Sequence, residues 1–344
     1  MKPQMTAAVL YGKEDVKIEK VPIPTLEPGE VLVKVNVALT CGTDLKVFQR
    51  GYHARMIVPP ALFGHELSGV IEEVGPGVRD FRRGMKVVAL NSAPCGSCFY
   101  CLKHQENLCE DLLFNNGAYA EYIRIPGRIV ETNMLALPDD VSFESAALTE
   151  PLACALRGLQ ETAADIGDIV TVIGAGPLGL MLVRVAKLNG CKVIAVVKRD
   201  EQVAAAKHLG ADDVVQIDKV ESPVDTVIGL TEGRGSDIVI EAVGRPQAWQ
   251  WAVDMVRRGG GVNFFDDAGK FVPEERRRHD HACVVSALID LQVGATSQRD
   301  LHLDQDFPCL NVGDGDFFNF HVLFTVEDGC CHLSVHCCLS RELP

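Results

Sequence analysis

The chain has 344 residues, of which 47% are hydrophobic and 31 are glycine, and its formal net charge is −14. This length exceeds one average domain, and the composition is that of a globular α/β protein with a large core, so we expect two domains. An acidic chain without clustered Lys and Arg is unsuited to binding a phosphate backbone. These properties exclude a nucleic-acid surface and favour a small-molecule partner.

No segment of the sequence is suited to a membrane. The first fifteen residues lack the apolar core of a signal peptide, and the longest nearly apolar run, residues 169–183, is too short and too rich in glycine to span a bilayer. We therefore expect a cytoplasmic protein. Disulfides do not persist in that reducing compartment, so clustered cysteines more often bind metal or take part in chemistry.

The first predicted strand of interest is the alternating run "VLVKVNVAL", which ends at a turn carrying Cys41 and Thr43. The next strand pattern begins with the adjacent His65 and Glu66, and Glu150 comes much later, where a helix is predicted to start. A thiolate, an imidazole and a carboxylate from three segments predict a zinc site whose fourth position is open to substrate. Each residue also has a structural interpretation, as a small buried side chain, a core histidine or a favourable first-turn carboxylate.

Residues 95–109 read "CGSCFYCLKHQENLC", which spaces four cysteines as C-x2-C-x2-C-x7-C. Short loops can fold Cys95, Cys98, Cys101 and Cys109 around one ion, as a tetrahedral zinc site requires. The alternative is an iron-sulfur cluster and an electron carrier, but ferredoxins place only three residues in the last gap and a proline after it. We therefore favour zinc. A closed site of four ligands has no position for substrate, so its role is structural.

A nucleotide site is predicted in "GDIVTVIGAGPLGLMLVRVAKLNGCKVIAVV", which shows the pattern strand, glycine turn, helix, strand. Its turn has the form G-x-G-x-x-G, with five residues that would approach the pyrophosphate: Gly174, Gly176, Pro177, Leu178 and Gly179. The strand and helix alternation continues beyond it, so we predict dinucleotide binding in a doubly wound parallel sheet. The alternative is a tight turn that binds no ligand.

The end of the second nucleotide-binding strand bears on the choice of cofactor. NAD-specific domains place Asp or Glu there to hold the ribose hydroxyls, whereas this chain has Val197 followed by Lys198 and Arg199. Two cations suit a 2′-phosphate. The sequence thus predicts NADP in preference to NAD, and the alternative is that both side chains belong to a solvated loop.

Together these motifs resemble the zinc-containing medium-chain alcohol dehydrogenases over residues from about 6 to 265. The most specific is G-H-E-x2-G-x5-G-x2-V, which occupies residues 64–78. The resemblance implies a GroES-like β domain over 1–153, with a structural zinc lobe at about 91–113, and a Rossmann domain over 154–265. It also implies hydride transfer between a secondary alcohol or polyol and a nicotinamide cofactor, in a homodimer or homotetramer.

The resemblance also implies roles for single residues. Cys41, His65 and Glu150 match the ligands of the catalytic zinc, and Glu66 matches the neighbouring carboxylate that can approach it. The "EPL" that begins at Glu150 is similar to the polyol, or sorbitol, dehydrogenase branch. In the family zinc acts as a Lewis acid on the alcohol. Thr43 matches the first proton acceptor, but Lys46 stands where relatives continue the proton relay with histidine.

The resemblance stops near residue 265. Residues 266–344 hold six of the thirteen cysteines and six of the ten histidines and show no sustained helical or strand period. We favour an out-of-frame translation of this segment, which the other reading frames of the coding DNA would reveal. The alternative is an additional metal site that involves Cys330, Cys331, His332, His336, Cys337 and Cys338. An aberrant C-terminus leaves open a non-catalytic protein that binds zinc and nucleotide.

Overall fold

The computed structural model describes residues 3–53 and 55–264 and two short strands further on, at 309–310 and 317–318. The described residues before the short strands form two compact units, of which the first ends at Glu150 and the second begins at Pro151. The predictions for the C-terminal segment, including its proposed metal site, therefore lie outside the described residues. Among those described, no helix has both the length and the apolar composition that crossing a bilayer requires.

The first unit is built mainly from antiparallel strands. Its strands are β1 Gln4–Gly12, β2 Asp15–Pro22, β3 Val31–Leu39, β4 Ala61–Leu62, β5 Glu66–Val74, β6 Lys86–Ala89, β7 Ser92–Ala93, β8 Leu113–Phe114, β9 Tyr122–Ile125 and β10 Met134–Ala136. Its helices are α1 Gly42–Arg50, α2 Gly127–Thr132 and α3 Phe143–Ala147, and helix α4 Thr149–Glu161 begins in this unit.

Three sheets organise these strands. One sheet has the order β2-β1-β4, a second has the order β10-β6-β5-β3-β9, and β7 pairs with β8 alone. Side chains such as Leu10, Val33, Phe63 and Ile71 are almost fully buried and form the core of the unit. The predicted GroES-like β domain is confirmed, because alternating strands bury one face against this core.

The pairing of β3 with β5 brings together two segments that carry predicted site residues. These strands run antiparallel with Leu39 opposite Glu66, so the residues just after β3 lie beside those at the start of β5. Gly64 takes a φ of +83°, and a Cβ added there would lie 2.6 Å from the ring of Tyr119. A larger residue would therefore both strain the turn before β5 and displace this aromatic ring.

The second unit is a parallel sheet with helices between its strands. Its strands are β11 Ile169–Ile173, β12 Lys192–Val197, β13 Asp213–Gln216, β14 Ser236–Glu241 and β15 Val256–Phe264, and its helices are α5 Pro177–Leu188, α6 Asp200–His208, α7 Pro223–Leu230 and α8 Pro246–Met255. The strand order is β13-β12-β11-β14-β15, and every pair is parallel. The predicted Rossmann architecture is confirmed.

The glycine turn between β11 and α5 depends on close packing. All five residues of β11 are buried, as expected of a central strand with both faces covered. A Cβ added at Gly179 would collide with the carbonyl oxygen of Gly174. The last glycine of the motif therefore lets the first turn of α5 pack on the turn that precedes it. The two short strands further on, β16 Cys309–Leu310 and β17 Phe317–Phe318, pair antiparallel with each other.

Candidate catalytic and metal-binding sites

Three predicted site residues meet in the interior of the first unit. The ligand atoms of Cys41, His65 and Glu66 all lie within 4.8 Å of one another, and all three side chains are buried. Cys41 follows β3, whereas His65 and Glu66 stand where β5 begins, so the ladder between these strands brings them together. A thiol, an imidazole and a carboxylate are donor types that zinc binds in proteins, so this donor set fits the ion that the motifs predict.

Helix α1 positions Cys41 and Thr43. Cys41 is the N-cap of the helix, and its sulfur accepts a hydrogen bond from the amide of Thr43 at 3.4 Å. The Asp44 carboxylate returns to accept the Cys41 amide at 3.0 Å, which completes a capping box. Thr43 is buried with 2% of its surface exposed. The first turn of α1 thus fixes the backbone that carries the predicted ligand and the predicted proton acceptor.

Asp44 is a site residue that the sequence interpretation missed. One of its oxygens accepts a hydrogen bond from Nδ1 of His65 at 3.0 Å, and the other accepts from the Tyr119 hydroxyl at 2.8 Å. Metal-binding histidines commonly donate the second ring N–H to a carboxylate, which fixes the tautomer and leaves the lone pair on the other nitrogen. Here that nitrogen is Nε2. The only sequence signal was the position of Asp44 three residues after Cys41.

Burial opposes the charged forms of two of these donors. Desolvation, and then the charge of Glu66, raise the pKa of the Cys41 thiol to about 11. Desolvation, and then the charge of Glu150, raise the pKa of Glu66 to about 8. Burial lowers the affinity of His65 for a proton, but the Asp44 carboxylate outweighs this and raises its pKa well above the ordinary value. A bound divalent cation would favour the thiolate and the carboxylate.

Glu150 lies outside the group of three. It lies in the first turn of α4 and is buried, with 4% of its surface exposed. Its negative charge contributes to the raised pKa of Glu66. The structure thus gathers Glu66, rather than Glu150, with Cys41 and His65. The assignment of Glu150 as the third ligand stays a prediction, and the geometry adds Glu66 as a competing carboxylate.

The four cysteines of residues 95–109 form a second group. Their sulfur atoms all lie within 4.8 Å of one another, and the measured separations include 3.5 Å between Cys98 and Cys101 and 3.9 Å between Cys98 and Cys109. A tetrahedral ion with bonds of about 2.3 Å to sulfur requires sulfur atoms about 3.8 Å apart. The spacing therefore fits a single zinc ion. An iron-sulfur cluster would place several irons between the sulfurs and hold them further apart.

The four cysteines lie in a small lobe whose two ends are joined by a pair of short strands. The lobe lies between β7 and β8, which pair with each other. Backbone amides point at the sulfurs: the Cys95 amide donates to Cys109 at 3.1 Å, and the Cys98 amide donates to Cys95 at 3.4 Å. The Ser97 and Cys98 amides lower the pKa of the Cys95 thiol to about 6. Such donors stabilise the Cys95 thiolate, whereas desolvation raises the pKa of the Cys101 and Cys109 thiols.

The predicted nucleotide residues lie at the carboxyl ends of two adjacent strands. Gly174 and Gly176 follow β11, and Pro177, Leu178 and Gly179 start α5. Val197 ends β12 and is buried, while Lys198 and Arg199 form the turn before α6. Because β11 and β12 are parallel neighbours, the two turns share one edge of the sheet, where doubly wound folds bind ligands.

Comparison with known proteins identifies the family of this chain. Residues 27–138 match the alcohol dehydrogenase GroES-like domain, and residues 177–266 match the zinc-binding dehydrogenase domain. The L-threonine 3-dehydrogenase of Bacillus licheniformis is 36% identical over 258 residues, which are 73% of this chain and 73% of that protein. The chain belongs to the zinc-containing medium-chain alcohol dehydrogenases.

Two further relatives lie close in sequence or fold. The sorbitol dehydrogenase of Bacillus subtilis is 34% identical over 263 residues, which are 74% of this chain and 73% of that protein. The solved structure of alcohol dehydrogenase TADH from Thermus sp. ATN1 has a TM-score of 0.68 and 36% identity, and the match covers 77% of this chain and 78% of that chain. The predicted family is thus confirmed.

Family membership establishes the general chemistry. This medium-chain dehydrogenase is a zinc-dependent oxidoreductase that transfers a hydride between a secondary alcohol or polyol and a nicotinamide cofactor. The non-catalytic alternative is not favoured. The individual site residues, the preference for NADP, the oligomeric state and the cytoplasmic location stay predictions.

Proposed function

We propose that this dehydrogenase oxidises a polyol at a secondary alcohol and uses NADP in preference to NAD. The observation that carries the proposal is the buried group of Cys41, His65 and Glu66, which combines the donor types of an open zinc site. The polyol substrate is supported by "EPL" at 150–152 and by the similarity to a sorbitol dehydrogenase.

Cys41 and His65 would hold the ion together with one carboxylate. The resemblance favours Glu150 for this role, and the distances favour Glu66. Zinc supplies a Lewis acid that makes an alcohol more acidic. Asp44 accepts the Nδ1 proton of His65 and so keeps Nε2 available as a donor. Thr43, buried two residues after Cys41, would accept the alcohol proton at its hydroxyl oxygen and release its own hydroxyl proton to a water molecule.

The two carboxylates can be separated by substitution. Glu66→Gln and Glu150→Gln each remove one negative charge and preserve side-chain size. The variant that lacks the true ligand should lose zinc from the catalytic site. Its rate of alcohol oxidation should fall by about two orders of magnitude or more, because the metal and its ligands act as a unit. The other variant should retain the ion. Zinc content measured per chain separates the two assignments, and equal retention in both variants would contradict a carboxylate ligand.

The preference for NADP is supported by the charges after β12. Val197 offers no carboxylate to the ribose hydroxyls, while Lys198 and Arg199 bring two cations to the same turn. We expect Arg199→Ala to weaken NADP binding about tenfold and to change NAD binding little, since the guanidinium pairs with a 2′-phosphate that NAD lacks. Equal affinities of the wild type for NAD and NADP would contradict the preference.

The proposed reaction is tested on the zinc-loaded full chain. Nicotinamide absorbance is followed with sorbitol and with L-threonine, each with NADP and with NAD. Reduction of NADP by sorbitol at the higher kcat/KM supports the proposal. A higher kcat/KM with L-threonine would replace the polyol by a hydroxy amino acid and leave the zinc chemistry in place. No reduction with any secondary alcohol would overturn the function.

A further inference from the structure

Gln202 connects the two turns at the nucleotide edge of the sheet. Its Oε1 accepts hydrogen bonds from the amides of Lys198 at 3.0 Å and Arg199 at 3.1 Å. Its Nε2 donates to the carbonyl of Ala175, inside the glycine turn, at 3.3 Å. Gln202 is 9% exposed. A single buried amide therefore ties the turn after β12 to the turn after β11.

The chemistry of these partners defines the orientation of the amide. Oε1 lies against two N–H donors and Nε2 lies against a carbonyl, so only one arrangement of the Gln202 amide satisfies all three contacts. Glutamate cannot reproduce this set when ionised, because it has no donor for Ala175. The contact to Ala175 thus specifically requires an amide side chain.

A second glutamine supports the same turn from the neighbouring strand. Gln216, the last residue of β13, donates from Nε2 to the carbonyl of Lys198 at 3.2 Å and to Oδ1 of Asp200 at 2.8 Å. Both backbone polar groups of Lys198 are thereby bonded to glutamine side chains. We call Gln202 and Gln216 the glutamine clamp. It holds the backbone from which the Lys198 and Arg199 side chains extend.

We propose that the glutamine clamp is a specificity-determining device that positions the Lys198 and Arg199 side chains for the 2′-phosphate of NADP. The inference rests on the proposed function. Because Oε1 of Gln202 accepts hydrogen bonds from the amides of both residues, Lys198 and Arg199 would contact an anion with their cationic side chains rather than with these amides. Binding by long side chains costs conformational entropy, and an ordered backbone reduces that cost. The clamp is a positioning element and does not itself touch the cofactor.

A structural role of Gln202 is the competing explanation. Gln202 is the third residue of α6, and its contact with the Arg199 amide is also part of a helix cap. A cap stabilises the helix but has no influence on the choice between two ligands. The test therefore compares two fragments that differ only at the ribose, adenosine 2′,5′-bisphosphate and adenosine 5′-monophosphate.

The experiment measures binding of both fragments to the full chain by calorimetry. Gln202→Ala should weaken binding of the bisphosphate about tenfold and of the monophosphate less than about threefold, because only the bisphosphate uses the two cations. Gln202→Met preserves size and covers the case in which the alanine variant folds poorly, and it should show the same selective loss. Gln250→Ala, an exposed glutamine on α8, is the matched control and should leave both affinities unchanged.

The outcomes separate this inference from the proposed function. A selective loss of bisphosphate binding in both Gln202 variants supports the clamp. Unchanged selectivity with a lower melting temperature would assign Gln202 to the helix cap alone and overturn the inference, while NADP use stands. A wild-type chain that does not prefer the bisphosphate would overturn both the preference for NADP and the clamp.

Discussion

At the scale of single residues, Asp44 is the residue of the candidate zinc site that the sequence interpretation missed. Its carboxylate contacts the Cys41 amide, the His65 ring and the Tyr119 hydroxyl. Asp44→Asn should weaken zinc binding at the catalytic site about 10- to 100-fold, since outer carboxylates orient their histidines. Zinc titration in competition with a chelator measures the effect. The exposed Asp80→Asn is the control, and an unchanged affinity in Asp44→Asn would contradict the role.

A second prediction at this scale concerns the thiol ligand. Cys41→Ser should abolish alcohol oxidation and reduce the zinc content by about one ion per chain, because the lobe keeps its own four ligands. Metal analysis and a turnover assay on the same sample test both parts. Cys191→Ser, at a buried cysteine in the second unit, should retain the full zinc content. Full activity in Cys41→Ser would end the assignment.

At the scale of elements, we predict that the lobe between β7 and β8 depends on a bound zinc ion. Cys98→Ala should lower stability by about 4 kcal/mol or more, because a structural metal contributes directly to folding. Turnover per folded molecule should change little. Thermal unfolding and specific activity are measured together, with Lys103→Ala in the same lobe as the control. A stable Cys98→Ala protein that has lost only its turnover would contradict a structural role.

The parallel sheet contains an ion pair whose contribution depends on pH. Burial would raise the pKa of Asp237, but the Ile169 amide and Arg257 guanidinium, at 2.8 and 2.5 Å, lower it. A carboxyl whose pKa is lower in the folded state than in the unfolded state stabilises the fold. This contribution is complete at pH values above the unfolded-state pKa of about 3.9, and it is lost as the pH falls through the folded-state pKa. Asp237→Asn should thus cost about 1–2 kcal/mol at neutral pH and less below about pH 4.

Denaturant unfolding at several pH values tests this prediction. The exposed Asp218→Asn in the same unit is the control and should follow the wild type throughout. A difference between wild type and Asp237→Asn that stays constant down to strongly acid pH would show that the carboxylate charge does not stabilise the sheet.

At the scale of the whole molecule, both groups of candidate zinc ligands lie in the first compact unit. Chelation of zinc should therefore increase amide hydrogen exchange in residues 95–109 and beside Cys41 and His65, while β11 and β12 keep their protection. Readdition of zinc should restore protection. Loss of protection in β11 to the same degree as in the lobe would show that the stability of the second unit also depends on zinc.

The C-terminal segment is the other question at this scale. The family match ends at residue 266, which agrees with the point where the resemblance in the sequence stops. The out-of-frame hypothesis stays a prediction. Sequencing the coding DNA beyond codon 265 and reading its other frames tests the hypothesis directly.

The sequence by itself determined the features that depend on spacing along the chain. Four cysteines within fifteen residues and a glycine motif between a strand and a helix describe local geometry, so both were predictable. The doubly wound parallel sheet followed from the glycine motif and from periodicity, whereas the GroES-like domain was implied by the resemblance to the family. The signature around His65 was specific enough to identify the family.

Only the tertiary structure decided which distant side chains meet. Asp44 in the first turn of α1 contacts His65 just before β5, and Glu66 lies with Cys41 and His65 whereas Glu150 lies outside that group. Gln202 contacts two separate turns. These contacts depend on strand register and on the direction of each side chain, which the spacing of residues does not specify. The sequence shows every residue that takes part in these polar contacts, but it does not show which of them contact each other.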